Sequence, residues 1–104
     1  MTAFDPRSTL EQLAADYRGR AEAIRRDLGR SHSQDFAEQA SERQNDEVLE
    51  ALLAEAEVAL RQVEHARERL AAGHYGECVR CGETIEAARL AALPMAECCL
   101  KCAD

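Results

Sequence analysis

Tryptophan is absent from this sequence, and aromatic residues make up only 4% of its 104 positions. Hydrophobic residues reach 46%, but much of that share is alanine, which buries little apolar area per side chain. A large globular core is therefore excluded, and an elongated helical protein is expected. No apolar run approaches the roughly 20 residues that a membrane-spanning helix needs, and the N-terminus carries no signal-peptide pattern. These absences make a cytoplasmic protein the expectation, with its thiols kept reduced. Positive charge is scarce as well. Thirteen Lys and Arg stand against 20 Asp and Glu, for a formal net charge of −7. A chain of that sign repels phosphate, which counts against nucleic-acid binding through a basic footprint.

Cysteine, by contrast, is concentrated. Cys78 and Cys81 form one C-x-x-C pair, and after 17 intervening residues Cys99 and Cys102 form a second. Two such pairs at this separation supply four thiolates that can close a tetrahedral, all-sulfur zinc site. A thioredoxin-like redox pair would account for one C-x-x-C but not for both. Gly82 follows the first pair and can take a positive φ, letting backbone N–H groups turn toward the sulfurs. With four protein ligands no coordination position stays open, so the expected role of the one Zn²⁺ is structural rather than hydrolytic, and no catalytic residues are assigned. The stretch from Tyr75 to Cys102 holds few apolar side chains, among them Ile85, Leu90, Leu93, Met95 and Leu100, so metal binding must supply much of its folding free energy. Cys98, next to a ligand, reads as a spare thiol; exchange with Cys99 is the alternative.

Upstream the pattern is helical. After Asp5-Pro6 and Ser8-x-x-Glu11, which give a proline-started helix resembling a capping box, Leu10, Leu13, Tyr17, Ala21, Ile24 and Leu28 recur at intervals of three and four. Gly19 weakens this helix, and Gly29 marks its end. A second stripe, Leu49, Leu52, Ala56, Ala59, Val63, Ala66 and Leu70, is widened by Leu53 and Leu60 and stops at Gly73. Antiparallel pairing sets Leu28 by Leu49, Ile24 by Leu52 and Leu53, Ala21 by Ala56, Tyr17 by Leu60 and Leu13 by Val63 or Glu64. The chain then reverses near residue 38, and a helix from there to Gly73 would be roughly 50 Å long. Residues 7–30 hold six arginines against four acids, whereas residues 35–57 hold eight acids against Arg43 alone, which favours that pairing. Ile85 to Leu93 reads as a short helix stopped by Pro94.

The resulting expectation is a mainly α protein, an antiparallel two-helix coiled-coil hairpin with an acidic tip joined to a small four-cysteine zinc-finger module. Residues 1–73 form the hairpin, with the tip at about 31–44, and residues 74–104 form the zinc module. At the tip, Asp35 and Glu38 carry two readings. Asp35 as N-cap with Glu38 three residues on is a capping box at a helix start, where acids are electrostatically favoured. The other reading is a pair of carboxylates presented to a partner at the end of a stalk. His32 and His65 read as solvated, and His74 and Tyr75 as packing residues beside the first cysteine pair.

Tyr75-Gly76-Glu77-Cys78-Val79-Arg80-Cys81-Gly82, with Ile85, Arg89-Leu90, Pro94, Cys99 and Cys102, resembles the zinc finger of the DksA/TraR family of bacterial transcription regulators. The resemblance continues to the tip, where Asp35-x-x-Glu38-x-Ala40 occupies the place of the family's Asp-x-x-Asp-x-Ala motif, with Glu38 in place of the second aspartate. It implies a regulator without enzymatic activity that binds RNA polymerase rather than DNA. The coiled coil would enter the secondary channel and bring Asp35, Glu38 and Ala40 near the active centre. A monomer that does not contact membranes is expected. The sequence shows no counterpart of the long N-terminal extension and C-terminal helix of full-length members. Where those members carry basic residues implicated in ppGpp binding, Glu55, Gln62 and Ala103 stand here, so synergy with ppGpp does not carry over. Two other functions compete: a zinc-stapled coiled-coil adaptor for another protein, and a zinc-ribbon nucleic-acid binder.

Overall fold

The computed structural model describes residues 4–30 and 36–103. Three helices follow in order: α1 (Pro6–Leu28), α2 (Phe36–Ala71) and α3 (Ala87–Ala92). The described residues contain no strand, only an isolated antiparallel bridge between Glu77 and Thr84.

Helix α1 begins at Pro6, the proline start expected from the sequence. The Asp5 carbonyl accepts the Thr9 N–H at 3.0 Å, and Pro6 takes the first helical position, where its missing N–H costs nothing. The helix ends as Gly29 donates to the Arg25 carbonyl at 3.0 Å, with Arg25 and Arg26 in the last turn, where cations suit the negative end of the helix dipole. Helix α2 ends in a full Schellman motif. His74 N–H reaches back to the Arg69 carbonyl at 2.8 Å and Gly73 N–H to the Leu70 carbonyl at 3.2 Å. This turn requires the left-handed conformation that Gly73 adopts at φ 81°.

The molecule divides into two compact units, one comprising Met1–Ala14 with Arg61–Asp104 and the other Ala15–Leu60. In the first, Leu10 and Ala14 of α1 and Val63 and Ala66 of α2 are buried. In the second, Ala21 and Ala56 are buried, and Arg25 lies 3.7 Å from Glu57. Rising numbers on α1 thus accompany falling numbers on α2, as the antiparallel pairing requires. The ion pair is half exposed on both sides and contributes little beyond register.

The details of the seam depart from simple spacing. Ala14 is buried while Leu13 is only half buried. Leu52, expected against Ile24 as a core position, is 46% exposed, and Ile24 is half buried. The reason is geometric: in a two-helix hairpin each helix has one neighbour, so the seam covers a line of side chains and leaves those on its flanks open on one side. Small residues, Ala14, Ala21, Ala56 and Ala66, occupy much of that line.

This difference sets the stability ranking. Leu10→Ala, at a fully buried position, should cost about 2–5 kcal/mol, whereas Leu52→Ala should cost about 1 kcal/mol or less. Urea unfolding of the zinc-loaded chain measures both, and equal losses would show that the seam runs through Leu52.

Candidate metal centre

The zinc module is built almost entirely from turns. Gly76, at φ 84°, accepts the Ile85 N–H at 2.7 Å, and Cys78 N–H donates to the Glu83 carbonyl at 2.8 Å. These bonds fold the first knuckle back on itself beside the Glu77–Thr84 bridge. Gly82 takes the predicted positive φ, 77°, and donates to the Cys78 carbonyl at 2.9 Å, closing the loop around the first cysteine pair. The second knuckle is a pair of turns in which Cys102 and Ala103 N–H both reach the Cys99 carbonyl at 3.0 Å.

Cross-links join the halves. Val79 N–H donates to the Glu97 carbonyl at 2.9 Å, Arg80 Nη1 to the Cys102 carbonyl at 3.0 Å and Arg89 Nε to the Cys98 carbonyl at 3.0 Å. The half-buried Tyr75 donates its hydroxyl to the Pro94 carbonyl at 2.8 Å, and burial raises the pKa of that phenol. Helix α3 is shorter than expected but stops before Pro94, as the proline rule requires.

These turns bring four sulfurs together. The ligand atoms of Cys78, Cys81, Cys99 and Cys102 all lie within 4.8 Å of one another, and Cys81 Sγ is 3.7 Å from Cys99 Sγ. Zinc–sulfur bonds of about 2.3 Å arranged tetrahedrally put neighbouring sulfurs about 3.8 Å apart. The set therefore fits one zinc ion with no position left over. Cys98 stays outside the group and packs, half buried, against the small cluster of Cys78, Ile85 and Cys99.

The protonation of the thiols points the same way. The backbone of Cys99, and after it that of Cys81, hydrogen-bonds to the Cys78 sulfur and holds its thiol down to about 5 against the opposing effect of burial. At Cys81 the backbone of Glu83 is the largest single influence and pulls downward, but burial together with the sulfurs of Cys78 and Cys99 outweighs it and the net direction is up. Cys102 is pushed up to about 12, first by Cys99 and next by Cys78. One thiolate is stabilised by amides, and adding further charge beside it is resisted; a divalent cation at the centre removes that resistance.

The module is tied to the end of α2. Arg69 Nη2 donates to the His74 carbonyl at 3.0 Å and also to the Glu77 carbonyl. His65, read from sequence as solvated, pairs through Nδ1 with Glu97. His74 is exposed and lies 3.1 Å from Glu77 rather than packing inward. Spacing gave no sign of either pair, since each partner is fixed by the path of the turns.

Of the tip residues, Glu38 and Ala40 are exposed near the start of α2, Glu38 in its first turn. Asp35 lies outside the described residues.

Zinc analysis of the purified chain should give one equivalent. Cys98→Ser should keep it, whereas Cys81→Ser should lose metal and the fold of the finger together, because three thiolates hold zinc poorly. Full zinc occupancy in Cys81→Ser would overturn the four-sulfur assignment.

Similarity to known proteins agrees with this geometry. Residues 7–70 match the DnaK suppressor protein-like N-terminal domain, and residues 73–104 match the prokaryotic dksA/traR C4-type zinc finger. The structure of transcription factor DksA2 from Pseudomonas aeruginosa is similar at a TM-score of 0.70 and 29% identity, over 92% of this chain and 72% of that one. An uncharacterized protein of Aquifex aeolicus is 45% identical over 53 residues, which are 50% of this chain and 37% of that relative. Both parts of the chain carry the family's features, and it belongs to the DksA/TraR family of C4-type zinc-finger proteins.

Proposed function

We propose that this chain is a bacterial transcription regulator that binds RNA polymerase directly. The two-helix hairpin enters the secondary channel, and the tip residues Asp35, Glu38 and Ala40 act near the active centre. Zinc held by Cys78, Cys81, Cys99 and Cys102 fixes the finger at the other end of α2. Family membership and the likeness to a transcription factor support the general reading. The observation that carries the specific one is the start of α2: Glu38 and Ala40 of the motif are exposed there, so negative charge sits where a partner can meet it.

The mechanism asks little chemistry of the protein. The finger supplies a rigid base, and carboxylates at a helix N-terminus are held in place by the helix dipole. Between protein walls their field is screened less than on an open surface. Glu38 in place of aspartate keeps the charge and extends its reach by about one C–C bond. Glu55, Gln62 and Ala103 stand where the family carries basic residues implicated in ppGpp binding, so the resemblance does not extend to synergy with that alarmone. No described helix is long and apolar enough to cross a membrane, and a cytoplasmic monomer fits this role.

One isosteric pair of variants separates regulation from mere capping. Asparagine caps a helix about as well as aspartate, so Asp35→Asn and Glu38→Gln should preserve fold and polymerase affinity. Both should lose most of the effect on a responsive promoter in transcription with purified components. Variants that regulate like the parent would leave the zinc-stapled adaptor as the better reading.

A further inference from the structure

Ligand spacing explains the four cysteines but not Arg89. Helix α3, which carries it, is six residues long and buries none of them. Its contribution to the core is the edge contact of Leu90 with the cluster of Cys78, Ile85 and Cys99. A helix that short has little stability of its own. What it places is the half-buried Arg89 side chain, whose Nε donates to the Cys98 carbonyl at 3.0 Å. That carbonyl is one end of the peptide group between Cys98 and Cys99. At the other end of the same peptide, the Cys99 N–H donates to the Cys78 sulfur, the largest of the influences that hold that thiol down.

Guanidinium, peptide and sulfur therefore stand in series. A cation on the carbonyl oxygen polarises the peptide and makes its N–H a better donor, because hydrogen bonds in a chain strengthen one another. It also fixes the plane of the peptide, and with it the direction in which the N–H points. Groups that act on a metal site from one bond further out in this way orient the ligands and tune affinity. Arg80 supplies the contrast. Its Nη1 donates to the Cys102 carbonyl, also at 3.0 Å, but the N–H of that peptide, on Ala103, goes to the Cys99 carbonyl rather than to a sulfur. Two arginines thus make the same kind of bond, and the one from Arg89 leads on to a ligand atom.

We propose that Arg89 is a positioning residue of the metal centre: through the peptide between Cys98 and Cys99 it aims the amide that holds the Cys78 sulfur, and so raises the affinity of the four-sulfur site for zinc. The side chain of Cys98 has no part in this, since its carbonyl makes the link. The link also crosses between the two C-x-x-C pairs, because the amide belongs to a ligand of the second and the sulfur to a ligand of the first. This role is independent of the polymerase reading.

The test compares Arg89→Met, Arg89→Lys and Arg80→Met in the full chain. The two methionine variants each remove one cation and one hydrogen bond to a knuckle carbonyl, so they match in charge and in kind. Zinc affinity is measured by competition with a chromophoric chelator, and the sulfur-to-metal charge-transfer band of the Co²⁺-substituted chain reports the donors around the sulfurs. Arg89→Met should bind zinc about 10–100-fold more weakly than the parent. Its band should move to longer wavelength, because a thiolate with a weaker amide donor gives up an electron more readily. Arg89→Lys, which restores a charged donor, should recover part of both. Arg80→Met should keep the band of the parent and lose less affinity. Parental zinc affinity in Arg89→Met overturns the proposal, and so does an equal loss in both methionine variants with the band unmoved, which would make Arg89 a cross-link like any other. Should Arg89→Met take up no metal, Arg89→Gln replaces it: as a neutral donor it should shift affinity and band in the same directions by less, and parental values for both would again overturn the role.

Discussion

Four sulfurs held within 4.8 Å of one another are the constraint on which the C-terminal part of the molecule depends. Backbone amides hold the Cys78 thiol down while the sulfurs of Cys99 and Cys78 push the Cys102 thiol up, so negative charges resist one another at that distance, yet four thiolates are what a tetrahedral site requires. Zinc resolves the conflict and replaces the hydrophobic core that this segment lacks. Among the described residues of the module beyond α2, Ile85 is the one buried large aliphatic side chain, and turns rather than long elements carry its hydrogen bonds. Such a module has little cooperative stability apart from the metal. What α2 receives at its end is therefore a metal-dependent anchor, fastened through Arg69 and through the pair of His65 with Glu97.

Sequence made the architecture legible because its signals were local. Pro6, Gly73 and Pro94 mark helix limits by backbone chemistry that depends on no tertiary partner, and the structure places the ends of α1, α2 and α3 within a few residues of them. The cysteine spacing was equally informative, since ligand number and geometry follow from residue type. Side-chain burial was less so. Periodicity gives the angle of a side chain around the helix axis but not how much of the facing helix covers it, so Leu52 looked like core and proved open, while Ala14 took a place expected of Leu13. The histidines show the same limit over a longer range. His65 and Glu97 are 32 residues apart in sequence, and only the path through both knuckles joins them. The metal site could thus be read almost whole from sequence, whereas its ties to the helix could not.

Charge is arranged with less regard for stability than the seam is. Glu38, Glu42, Asp46 and Glu50 follow one another at intervals of four along the first half of α2. Like charges at that spacing oppose helix formation by about 0.2–0.5 kcal/mol per pair. The helix dipole offsets this near Glu38, but its effect fades within the first turn and leaves Asp46 and Glu50 without that support. On α1, Arg25 reaches one acid of α2, Glu57, and an exposed pair of that kind contributes at most about 1 kcal/mol.

The first half of α2 thus presents net negative charge, and a partner that supplies cations or electropositive backbone is its electrostatic complement. Under the proposed function the acids gather at the end of α2 that would act on the partner, while the four-sulfur site holds the turns that follow the other end of the helix.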